Sequence, residues 1–216
     1  ALALFLAFLV FTIFYKEERA TKPLEKQKMK FHAKFPRRFK IIIAIWFFVS
    51  VNYTATYYPA FFILARDLGI SEAETFVMLL ATYLLSTILA WKSGKWIESH
   101  GREKAASLTL FGYAILTFAY LFATSLFGMF LIFLGIGAFY YVYRIAFRTV
   151  MMDSTGPQVR GEQIGLAKTF QGLGDMIGPA IGGFLIDVVS LSAAFIFAGI
   201  AGMAAFGLAL LLLRKA

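Results

Sequence analysis

The chain has 216 residues, of which 60% are hydrophobic and only 15% charged, and its mean hydropathy is +0.76. Soluble domains run at about 45–50% apolar and about 25% charged, so an ordinary water-soluble enzyme or nucleic-acid binder is excluded and an integral membrane protein is indicated. The sequence has no cysteine, which removes disulfides, thiolate metal sites and a cysteine nucleophile, and its two histidines, His32 and His100, are too far apart for a His-rich metal cluster.

The net charge of +9 is placed unevenly. Between Lys16 and Lys40 stand ten Lys or Arg against three Glu, a local excess of +7. No basic, aromatic-interleaved fold accompanies this stretch, so it reads as a segment on anionic lipid headgroups and not as a nucleic-acid site.

In chain order, Ala1–Tyr15 is apolar but short and reads as the end of a truncated transmembrane helix. Residues 16–40 form a basic linker, and residues 41–216 a six-helix bundle. The apolar runs are Ile41–Leu64, Thr75–Trp91, Ala105–Thr124, Leu126–Val142, the weaker Ile164–Ile186 and Leu191–Leu213. Each is near the roughly 20 residues that cross about 30 Å of hydrocarbon as a helix, the conformation that satisfies its own backbone donors. Lys168, Gln171 and Asp175 interrupt the fifth run, as expected of a helix showing a polar face to a protein interior.

Loop charges alternate along these runs, and 20 of the 21 Lys and Arg fall on one side, Arg66 being the exception. The positive-inside rule puts the linker and the C-terminus in the cytoplasm. Ser71 and Glu74 have capping-box spacing before the second run. Gly94, Gly101 and the Gly156-Pro157 pair mark turns, and Pro59 is expected to kink the first span.

Two constellations stand at the basic side. Gly94 to Lys104 reads either as a solvated loop of mixed charge or as a latch, with Arg102 pairing to Glu98 or to Asp153. Pro157 to Gly161, containing Arg160, leads into a helix in which Gly174, Gly178 and Gly182 recur every four residues beside Pro179. Small residues at that spacing let helix backbones approach in lipid; Pro179 adds a secondary hinge or gating role.

The order of features resembles the C-terminal half of a major facilitator superfamily transporter. It consists of a basic linker, six helices, G-x-x-x-E-x-x-G-R-x-K at 94–104, P-x-x-R-G at 157–161 and G-x-x-x-G-P-x-x-G-G at 174–183. Ser99 and Glu103 depart from the basic residues usual in the first motif. The resemblance implies an all-α membrane fold of two inverted three-helix repeats following the end of a sixth helix, with the N-terminal half of the same transporter missing. It implies a multi-pass protein of the plasma membrane that carries a small-molecule substrate by alternating access, coupled to protons, with no cofactor.

Depth and helical phase nominate a lining for that path. At 1.5 Å per residue, Asn52 and Asp175 reach the midplane, where transporter sites of this kind lie. Tyr53, Thr56 and Tyr57 accompany Asn52; Tyr140 and Arg144 follow helical spacing on the fourth span, and Gln171 shares a face with Lys168 and Asp175. These are the expected substrate contacts. Asp175 is the expected proton carrier, since a midplane carboxylate must be hydrated, paired or protonated. An intramembrane enzyme finds no site here, because hydrolysis needs paired carboxylates, a His-metal cluster or an activated Ser. A transport-inactive sensor or scaffold on the same bundle is the alternative.

Overall fold

The computed structural model describes residues 36–155 and 160–213. The truncated first span, most of the basic linker, the Gly156-Pro157 turn and the terminal basic pair lie outside the described residues.

The elements are α1 (Arg37–Ala55), a π-helical turn (Thr56–Ala60), α2 (Phe61–Asp67), α3 (Glu72–His100), α4 (Arg102–Ala119) with a closing 3-10 turn (Tyr120–Phe122), α5 (Leu126–Asp153), α6 (Arg160–Val188) and α7 (Leu191–Leu213). No strand occurs among the described residues. α1, the π turn and α2 run on as one rod, so the described residues form six long helical segments. Five of these are long and apolar enough to span a bilayer. α6 falls short on composition because of Lys168, Gln171 and Asp175, yet its 29 residues give ample length.

The helices outrun the apolar runs that announce them. α3 continues through Gly94, Lys95 and Glu98 to His100, so Gly94 lies inside a helix and not in a turn. The reversal falls on Gly101 alone, whose φ of 85° is open to glycine without strain. Apolarity marks where lipid stops; Lys and Glu are good helix formers and carry the helix past that level. Pro59 sits inside the π turn, where a wider hydrogen-bonding register accommodates the residue that cannot donate.

Helix starts are capped as their sequences suggest. Ser71 Oγ accepts from Glu74 N at 3.3 Å, and Ser71 N donates to Glu74 Oε2 at 2.8 Å, closing a reciprocal box. Ser125 Oγ accepts from Gly128 N at 3.2 Å, and Ser190 Oγ from Ala193 N at 3.2 Å.

Packing follows a two-fold pattern. α1 lies against α6 and α7; α5 lies against α3 and α4; α4 meets α7. Exchanging the first three crossings for the last three maps this set of neighbours onto itself. Three crossings are an odd number, so the second triplet begins at the opposite end from the first and the repeats are inverted. α3 is peripheral, with 22% of its apolar window buried, and Phe76 and Trp91 on it stand 70% and 84% exposed. Such apolar surface suits lipid, not water.

The glycine stripe makes the tightest of these interfaces. A Cβ at Gly174 would lie 2.6 Å from Phe47 O, one at Gly178 2.8 Å from Val51 O, and one at Gly182 3.4 Å from Ala55. α6 therefore rests directly on the α1 backbone. Gly183, off the stripe, would meet nothing.

Candidate functional site

Close packing of α1 on α6 leaves the opposite side of α1 facing α5, and aromatic side chains fill that junction. Tyr53 of α1 stacks on Tyr140 of α5 with ring centroids 4.8 Å apart and planes 6° from parallel. Tyr57, one turn further along, stacks on Tyr53 at 5.1 Å and leads through Phe133 at 6.1 Å to Phe61. Tyr113 of α4 closes on Tyr140 at 5.4 Å. Tyr53, Tyr57, Phe133 and Tyr140, together with Leu79, Tyr83 and Ile136, border a small apolar recess.

On the other side of Tyr140 the lining changes character. Arg144 lies one turn beyond Tyr140, its guanidinium carbon 5.6 Å from the Tyr140 ring centroid and 5.7 Å from that of Tyr141. Across the gap Lys168 sits 5.1 Å over the Trp46 ring and donates to Gln171 Oε1 at 2.7 Å. Trp46, Ser50, Tyr140, Arg144, Arg148, Lys168 and Gln171 surround a small cleft that contains no carboxylate in its lining. Cations over aromatic faces hold their position better than free ones, because the ring quadrupole attracts them.

The family model of the Major Facilitator Superfamily matches residues 43–216. The chain belongs to this superfamily. It is thus a multi-pass membrane protein of a transporter family, and the six described crossings in two inverted triplets are the corresponding half bundle. No curated protein matches the chain.

Within this major facilitator bundle the nominated residues divide. Tyr53, Tyr57, Tyr140, Arg144 and Gln171 come together around the two recesses. Asn52 does not. It is fully buried, donates to Ala198 O at 2.6 Å and faces Thr117 Oγ1 at 3.3 Å, tying α1 to α7 and α4. One residue before Tyr53 turns the side chain by about 100°, into an interface between helices and outside the lining of either recess. Thr56 is also buried, and its Oγ1 has no hydrogen-bond partner within the π turn. Asp175 is half-buried and makes no ion pair among the described residues. It lies within electrostatic reach of Tyr140 and Lys168 but outside the cleft lining.

The loop residues form a separate cluster where α1, α3, α4 and α5 end together. Arg102 Nη1 donates to Asp153 Oδ2 at 2.6 Å, joining the start of α4 to the end of α5. Glu98, the other candidate partner of Arg102, is exposed and makes no ion pair among the described residues. A second bridge links Arg38 to Glu103. The sequence offered one sign of it, Glu103 standing where the family motif is usually basic, but nothing in the spacing names a partner 65 residues away. Arg160 opens α6 exposed, and Pro179 lies half-buried beside the glycine stripe.

Proposed function

We propose that the chain forms one half of a secondary transporter that moves a small solute by alternating access, with proton coupling through Asp175. The observation that carries this reading is the junction of α1, α5 and α6, where Tyr53, Tyr140, Arg144 and Gln171 converge within a bundle otherwise clad in apolar side chains. α1 and α5 are equivalents in the two inverted triplets, and sites of this kind lie between such repeats. Tyr140 is about 21 Å along α5 from Leu126, deep enough for a solute bound there to be shut off from either surface.

A second bundle, the N-terminal half of the same transporter, completes the path, and the α6 face bearing Lys168, Gln171 and Asp175 looks toward it. Residues 1–15 then end the preceding helix and residues 16–40 connect the halves. The clustered basic ends face the cytoplasm by the positive-inside rule, in the plasma membrane. Rocking loosens the Arg102–Asp153 bridge at that end and pivots about Gly101, Pro179 and the stripe of Gly174, Gly178 and Gly182. Gly94, Glu98 and Arg160 flank this moving end.

Counterflow of labelled solutes in proteoliposomes that hold the chain together with an N-terminal half tests the transport reading; its absence for every solute tried would favour a transport-inactive bundle, and counterflow by the 216-residue chain alone would show that one half suffices. Asp175→Asn should abolish accumulation driven by a pH gradient while sparing counterflow, which moves no net proton. Unaltered coupling would remove Asp175 from the mechanism.

A further inference from the structure

Three cations meet in the cleft without an anion among them. Arg144, Arg148 and Lys168 come from two helices, and none makes an ion pair among the described residues. Cations at a membrane boundary ordinarily snorkel outward to separate headgroups. Here Arg144 lies over Tyr140 and Tyr141, and Lys168 over Trp46, so aromatic rings hold two of the three cations at the lining of one cleft. Three like charges that line one cleft repel one another, and an anion bound there relieves that repulsion.

The cleft's neighbour supplies the rest of the recognition. Tyr140 borders both spaces, with the cations on one side and the apolar recess of Leu79, Phe133 and Ile136 on the other. Two small recesses that meet at one ring, one cationic and one apolar, present the chemistry that an amphipathic ligand would match.

Resting on the transport reading above, we propose that the solute is a small organic acid whose carboxylate or phosphate is held by Arg144, Arg148 and Lys168 and whose apolar or aromatic body enters the recess beyond Tyr140. Arginine forks pair with such oxyanions in two parallel hydrogen bonds. Gln171 keeps Lys168 within the lining until the anion arrives. A lipid headgroup presents the same phosphate chemistry, and the experiment separates the two sources.

The test uses the full chain in phosphatidylcholine vesicles and follows Trp46 emission, with Trp46→Phe as the blank. The probes are 3-phenylpropionate, 3-phenyl-1-propanol, 3-phenylpropylamine and acetate. The acid should shift the emission saturably, with the alcohol, the amine and acetate at least tenfold weaker. Arg148→Gln and Lys168→Gln should each weaken the acid fivefold or more and leave the alcohol unchanged, in protein that stays monodisperse with native helix content. Equal binding of acid and alcohol, or an acid titration unmoved by both variants, would overturn the proposal. So would displacement of the probe by added phosphatidylglycerol in vesicles where acid and alcohol bind alike, which would assign the cations to headgroups. Charge-selective binding of the acid, without counterflow of it once an N-terminal half is supplied, would uphold the anion site while refuting transport. Counterflow of neutral or cationic solutes indifferent to both variants would uphold transport and refute the anion site.

Discussion

Tyr53 and Tyr140, from helices that start at opposite ends of the bundle, stack 4.8 Å apart and within 6° of parallel. The pair separates the cationic cleft from the apolar recess, since Tyr140 lines both. Aromatic pairs contribute about 0.5–1.5 kcal/mol beyond their buried area. Tyr140→Ala should therefore lower the thermal unfolding midpoint and raise KM for any transported solute, whereas Tyr140→Phe keeps the stack and most of both properties. Unfolding scans in detergent together with solute titrations in proteoliposomes check the two effects separately.

Asn52 gives the contrasting case of a polar midspan residue used for assembly. Asn52→Ala removes its bonds to Ala198 O and Thr117; interhelical bonds of this type in membranes average about 0.6 and reach about 1.7 kcal/mol. The variant should be less stable by about 1–2 kcal/mol with KM unchanged. A raised KM at unchanged stability would return Asn52 to the solute path.

The stripe on α6 makes a sharp prediction because two neighbouring glycines differ. Gly178→Leu drives a side chain into the α1 backbone at Val51 and Ala55 and into the Thr54 hydroxyl, and should abolish monodisperse protein in size-exclusion chromatography. Gly183→Ala meets open space and should behave as the parent.

At the basic end, Arg102→Asp and Asp153→Arg each place like charges across the bridge that joins α4 to α5. Both single changes should alter the rate at which thiol reagents reach a cysteine introduced at Ser93, and the double exchange should restore it. Both partners are exposed, so the differences should fade in high salt.

The spans were legible in the sequence because lipid leaves few ways to satisfy a backbone, and apolar length then fixes the number of crossings. Even the polar α6 was readable, since Lys168, Gln171 and Asp175 share one face of it. Helix ends were less so. Gly94 looked like a turn residue, yet Lys95 and Glu98 continue the helix beyond the lipid. The aromatic side of α1 followed from the spacing of Tyr53 and Tyr57, but Asn52 beside them did not, because α1 is covered by α6, α7 and α5 together and phase alone does not say which cover a polar group meets. The Arg38–Glu103 bridge was beyond reach for a simpler reason: two charges far apart in sequence, one exposed and one half-buried, leave no local pattern.

The most direct measurement is aqueous access to the cleft at Gln171. The chain supplies no cysteine of its own, so Gln171→Cys in reconstituted full-chain protein can be compared with Leu131→Cys on the lipid-exposed side of α5. A membrane-impermeant thiol reagent should label position 171 readily and leave 131 untouched, with 3-phenylpropionate slowing the first reaction. If position 171 is as inert as 131, the cleft is a closed packing defect and no solute passes through it.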